Sequence, residues 1–192
     1  MSIMSEPPAY PSKKVDALES HRSAVNRHAA QTSFVVFVCG PAVNPENSAS
    51  IVREKIKKDL EEHGFDVVYG EDDGLEESRV HVGMNAQDNE LKFIANECRA
   101  VVIVASSVGS FAELGLFSWH FAQKNGIIDS HKCDLICLID KKYNERSYLT
   151  EGPAQAVDGH GRLLFVDFDD FDTEHLVKRL SSRRATALWD TE

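Results

Sequence analysis

Two hydrophobic periods alternate along this chain. Mostly apolar runs recur as "FVVFVC" (34–39), "FDVVYG" (65–70), "AVVIVA" (100–105), "CDLICLID" (133–140) and "RLLFVDF" (162–168). Short runs without polar interruption predict strands buried on both faces. Between them the apolar residues take helical spacing. Ile51, Val52, Ile56 and Leu60 form one stripe, with Gly64 just past the helix end; Leu91, Ile94, Ala95 and Cys98 form another. Leu176, Val177 and Leu180 mark a last helix. Strands alternating with helices predict an α/β fold: a five-stranded, mainly parallel sheet with helices on both faces, Rossmann-like in layout.

The start of the chain reads differently. Residues 1–12 hold three of the six prolines and predict a mobile tail. Residues 13–31 carry Val15, Leu18, Ala24 and Val25 at loose helical spacing, which predicts a docking arm rather than a core helix. The expected organisation is a tail and arm over 1–32 and one α/β domain over 33–192.

Charge and cysteine content narrow the function classes. With a net charge of -10 and only isolated basic pairs, the chain lacks the footprint of a nucleic-acid binder. Small molecules or protein partners are expected instead, with no sequence-specific nucleic-acid contact. Four cysteines in apolar runs (Cys39, Cys98, Cys133, Cys137) read as buried thiols of a cytoplasmic protein. Residues 1–12 have no apolar core of a signal peptide, and no run reaches membrane-spanning length. No metal site or cofactor is expected.

In parallel sheets the ligand crevice lies beyond the carboxyl ends of the strands. Cys39-Gly40-Pro41, the acidic loop Glu71-Asp72-Asp73, and the segment Ser106 to Glu113 are expected to converge there. The last reads "SSVGSFAELGLF", a serine-glycine turn followed by a helix with Glu113 near its start. Free N–H groups at Ser107, Gly109 and Ser110 suit a phosphate or carboxylate. The local pattern has a plainer reading: Ser110-x-x-Glu113 has the spacing of a capping box, in which the glutamate merely answers the helix start. The turn matches neither a Walker loop nor the dinucleotide fingerprint.

Taken in order, "FVCGP", "GEDDG", "QDNELKFIA", "SSVGSFAELGLF" and "SYLTEGP" resemble the nucleoside 2-deoxyribosyltransferase-like superfamily. They resemble most its branch of effectors encoded with bacterial retrons, over about residues 34–168. The resemblance implies an N-glycosidase in anti-phage defence that cleaves the base–sugar bond of a nucleoside, a nucleotide or NAD. Glu113 would be the nucleophile and Asp88 the assisting acid. Glu71, Asp73, Glu90, Cys39, Gly40, Pro41, Ser107, Gly109 and Ser110 would contact substrate. It further implies a homo-oligomer, for which the arm and the Phe117/Trp119/Phe121 helix end are candidate surfaces. A retron reverse transcriptase with its RNA–DNA product enters as a candidate partner. The sequence departs from the transferase pattern at Ser106 and Ser107, where an acid is expected. A nucleotide-sensing or scaffold protein of the same fold, without turnover, is the alternative.

Overall fold

The structure, a computed structural model, describes residues 12–29, 31–70, 85–123, 126, 128–129 and 132–188. The chain begins with α1 (Ser12–Ala29), β1 (Val35–Cys39), α2 (Ser48–Glu62) and β2 (Asp66–Tyr69). It continues with α3 (Ala86–Glu97), β3 (Cys98–Ala105), α4 (Val108–Ala122) and β4 (Asp134–Asp140). A π-helical turn, Thr150–Ala154, leads into α5 (Gln155–His160), then β5 (Arg162–Val166) and α6 (Glu174–Ala187). The expected strands are all present and pair in the order β2-β1-β3-β4-β5, every neighbour parallel. The arm is present as α1, which packs on α6 through a chain end where Ala29 is buried. Of the tail predicted over 1–12, Ser12 opens α1, and residues 1–11, like the loop acids Glu71, Asp72 and Asp73, lie outside the described residues.

Two apolar layers cover the sheet. On one face Leu91 and Ile94 of α3, Leu114 and Phe117 of α4 and Val157 of α5 pack on alternate strand residues. On the other, Val52, Ile56 and Leu60 of α2 meet Leu176 and Leu180 of α6. Details of the helical stripes differ from the sequence expectation. Ile51 is 52% exposed, and Arg53 takes an inward place at 1%. Ala95 is exposed, and Cys98 opens β3 instead of closing a helix.

Arg53 is tolerated in the core because its donors are used. It donates to the carbonyls of Pro41 (3.0 Å) and Val38 (3.4 Å), and its guanidinium lies 4.0 Å from the centre of the Tyr69 ring. One buried cation therefore ties the end of β1 to α2 and β2. Gly40 belongs to the same joint: a Cβ there would stand 3.0 Å from Arg53 Cδ and 3.1 Å from Val104 Cβ. At the other end of α2, Gly64 adopts φ +74° and the helix closes in a Schellman motif. Its N–H donates to Glu61 and that of Phe65 to Leu60, and Arg184 of α6 caps the remaining His63 and Gly64 carbonyls.

All four cysteines are free and buried. Burial, with the Glu97 charge behind it, pushes Cys98 up to about 12, and burial raises Cys133 and Cys137 further. Arg53→Ala should cost about 1–3 kcal/mol for each carbonyl deprived of its donor, read by urea denaturation, and Arg53→Lys should recover only part of it. The native thiols should resist maleimide at neutral pH and react on unfolding. Because their folded pKa values are raised, their contribution to stability holds below about pH 8.5 and is lost as pH rises beyond it. Rapid labelling of the native chain would contradict this burial.

Candidate active site

A sheet ordered 2-1-3-4-5 changes direction between β1 and β3, and the crevice opens there. α3 leads into β3 and α4 follows it, so both helices start at the crevice end and run back along the sheet. Their placement depends on three aromatic rings. Phe37 of β1 meets Phe93 of α3 at 6.1 Å between centroids and Phe117 of α4 at 6.5 Å.

Moving toward the crevice from this clamp gives the site. Two residues along β1, about 6.6 Å, lies Cys39 on the same face. One helical turn, about 5.4 Å, back from Phe93 lies Glu90, and one turn back from Phe117 lies Glu113. Electrostatics agree with this geometry. Burial raises the Cys39 thiol well above its usual range, and the Glu113 and Glu90 charges push it the same way against Arg53. Both glutamates are half-buried, and Glu113 Oε2 is shielded from solvent. The charges of Glu113 and Glu90 therefore both act on Cys39 at the switch point.

The start of α4 decides whether Glu113 is a cap. The helix begins at Val108, so Ser107 is its N-cap and Ser110 its third residue. Ser107 Oγ accepts the Ser110 N–H at 3.2 Å, and Ser110 Oγ accepts the N–H groups of Ser107 (2.9 Å) and Ser106 (3.0 Å). These serines form the capping box by themselves. Glu113 stands in the second turn, beyond any orphan N–H, so the Ser110-x-x-Glu113 cap of the sequence reading is replaced by Ser107-x-x-Ser110.

The other expected site residues divide. Asp88 helps to start α3: its N–H donates to Asn85 Oδ1 at 3.0 Å, and its carboxylate accepts from Asn85 Nδ2 at 3.1 Å. Pro41 is buried and engaged by Arg53, and Gly40 is accounted for by packing. Gly109 is exposed with open space where a side chain would be, and Ser106 Oγ is buried without a partner among the described residues. The stretch after β4 folds over α4, where Tyr143 meets Phe111 edge-on at 5.2 Å. Phe117 and Phe121 are core residues, leaving Trp119, at 63% exposure, as the outward aromatic of that helix end. Clefts of about 570 and 460 Å³ lie along β5 and α6 and beside Asp59 and His63, away from Glu113. Among the described residues no helix could cross a membrane, and no His/Cys/Asp/Glu group could hold a metal ion.

Comparison with known families gives one finding: the model of the family described as STM3845 retron effector protein matches residues 49–190. The matched segment runs from α2 to the end of α6. No curated protein matches the chain.

The two capping schemes separate in stability. Ser110→Ala should cost about 1–2 kcal/mol through its lost cap. Glu113→Gln should cost less than Ser110→Ala, because it removes no cap. Chemical denaturation of both variants is the check, and a larger loss in Glu113→Gln would return that residue to a capping role.

Proposed function

The chain belongs to the retron effector family, and from that premise we propose an N-glycosidase that cleaves the base–sugar bond of a nucleoside, a nucleotide or NAD. Family membership supports a role in anti-phage defence. The observation that carries the chemical reading is that Glu113 and Glu90, each one turn from a phenylalanine packed on Phe37, both act on Cys39. A carboxylate not committed to capping, in the second turn of a helix whose start is fixed by its own serines, is suited to attack an electrophilic carbon.

In this reading a Glu113 oxygen attacks the anomeric carbon. The electrons of the breaking C–N bond go to the base, which leaves with a proton from Glu90. Water then attacks the same carbon, returning its proton to Glu90 and releasing Glu113 from the glycosyl ester. Two carboxylates about 5 Å apart are the usual arrangement for such double displacement. The N–H groups of Val108 and Gly109, which the capping serines do not take, are the donors left for a substrate phosphate. Asp88, Glu71 and Asp73 remain candidates for holding sugar or base. A homo-oligomer and a reverse transcriptase with its RNA–DNA product belong to the same proposal.

One observation favours a second reading, a nucleotide sensor without turnover. Ser106 and Ser107 stand where the resembling enzymes carry an acid, and Ser110 Oγ accepts both of their N–H groups.

Incubation with nucleosides, nucleotides and NAD, followed by chromatography of free base, separates the two. Base should appear with one substrate class and fall at least about 100-fold in Glu113→Gln. Glu90→Gln should lower the rate more than Asp88→Asn. Saturable binding without base release would favour the sensor, and undiminished release by Glu113→Gln would remove the nucleophile assignment.

A further inference from the structure

α4 differs from its neighbours in what it shows to solvent. α2, α3 and α6 turn lysines, arginines or carboxylates outward, whereas the only ionisable side chains of α4 are Glu113 and His120. A helix apolar on all sides is normally a buried one. Within one chain α4 is buried on its inner side alone. Its outer line is Val108, Ala112, Gly115 and Trp119. At about 100° per residue these four fall within an arc of about 60°, and Glu113 and His120 point more than about 100° away from its centre. Val108 is 90% and Trp119 63% exposed, Ala112 is exposed too, and a Cβ on Gly115 would meet nothing within 4 Å.

The line is its own complement. Its members are four, three and four residues apart, the spacing of a seam between two helices. Val108 and Trp119 stand equally far on either side of the midpoint between Ala112 and Gly115. A second α4, laid antiparallel about a two-fold axis at that midpoint, sets each Val108 against the other chain's Trp119. It also sets each Ala112 against the other chain's Gly115. The small residues lie at the crossing, where helix axes can approach to about 8 Å, and the large ones close both ends. Charge points the same way. Two copies of net charge -10 repel, and along this line they meet with no ionisable group between them.

We infer that α4 pairs antiparallel with α4 of a second copy through Val108, Ala112, Gly115 and Trp119. The pairing gives a surface to the homo-oligomer of the proposed function and rests on that part of it alone. Glu113 points away from the seam, so the pairing and the catalytic reading fail separately: one is read as mass, the other as base release.

Light scattering of the full chain after size exclusion is the test. The wild type should have the mass of two chains. Gly115→Leu adds a side chain where the single chain has open space, so far-UV circular dichroism should not change. The same side chain forces the two helices apart, and the mass should fall to one chain. Ala112→Glu and Gly115→Lys should each give one chain alone. Their equimolar mixture should give two, since position 112 of one chain meets position 115 of the other. A wild type of one chain, a Gly115→Leu variant that keeps the mass of two, or a mixture that stays single would each overturn the antiparallel pairing.

Discussion

The edge-on and tilted contacts of Phe37 with Phe117 and Phe93 fix where α4 and α3 sit against β1. They hold two helices from successive crossovers against one strand, at the point where the sheet changes direction. Strand and helix advance by comparable amounts toward the crevice, about 6.6 Å for two residues and about 5.4 Å for one turn. The residues one step beyond the clamp therefore lie toward the same crevice, and the charges of Glu113 and Glu90 both act on Cys39. Each aromatic contact adds of order 1 kcal/mol beyond area burial. Its larger consequence is positional, since a catalytic carboxylate misplaced by an ångström loses much of its rate.

Around the clamp, polar groups are spent on rigidity. Arg53 fixes the end of β1 through the carbonyls of Val38 and Pro41, and Ser107 and Ser110 satisfy the start of α4 between them. Because serines do the capping, Glu113 is not used as the cap of a helix that is already ordered. The Cys39 thiol, held neutral by burial and by two acids, adds a small polar group to the crevice without adding charge. Such preorganisation is what a site needs if charge is to develop in it without rearrangement.

Much of this was legible in the sequence, for reasons that differ by feature. Strands buried on both faces, β1, β3 and β4, leave nearly uninterrupted apolar runs, and the half-buried β2 and β5 leave shorter ones, so all five were visible. A single-sided helix leaves a stripe, but a stripe cannot show that Arg53 rather than Ile51 turns inward. That depends on carbonyls 12 and 15 residues upstream that periodicity does not encode. Glu113 was recognisable by its place after the third strand. Its freedom from capping was not, because "SSVGSFAE" contains two overlapping serine patterns of the same spacing. The end of β3 at Ala105 and the helix start at Val108 select the first. Glu90 and Phe93, like Glu113 and Phe117, are one turn apart, a recurrence that becomes meaningful only once both phenylalanines are seen on Phe37.

The account turns on a covalent bond to one oxygen of one residue. Acid-quenched reactions with the cleaved substrate, digested and read by mass spectrometry, report that bond directly. The account predicts a peptide containing Glu113 heavier by one sugar moiety, absent when the variant Glu113→Gln is used. A sugar adduct on any other residue, or rapid base release with a Glu113 peptide that never gains mass, would contradict it.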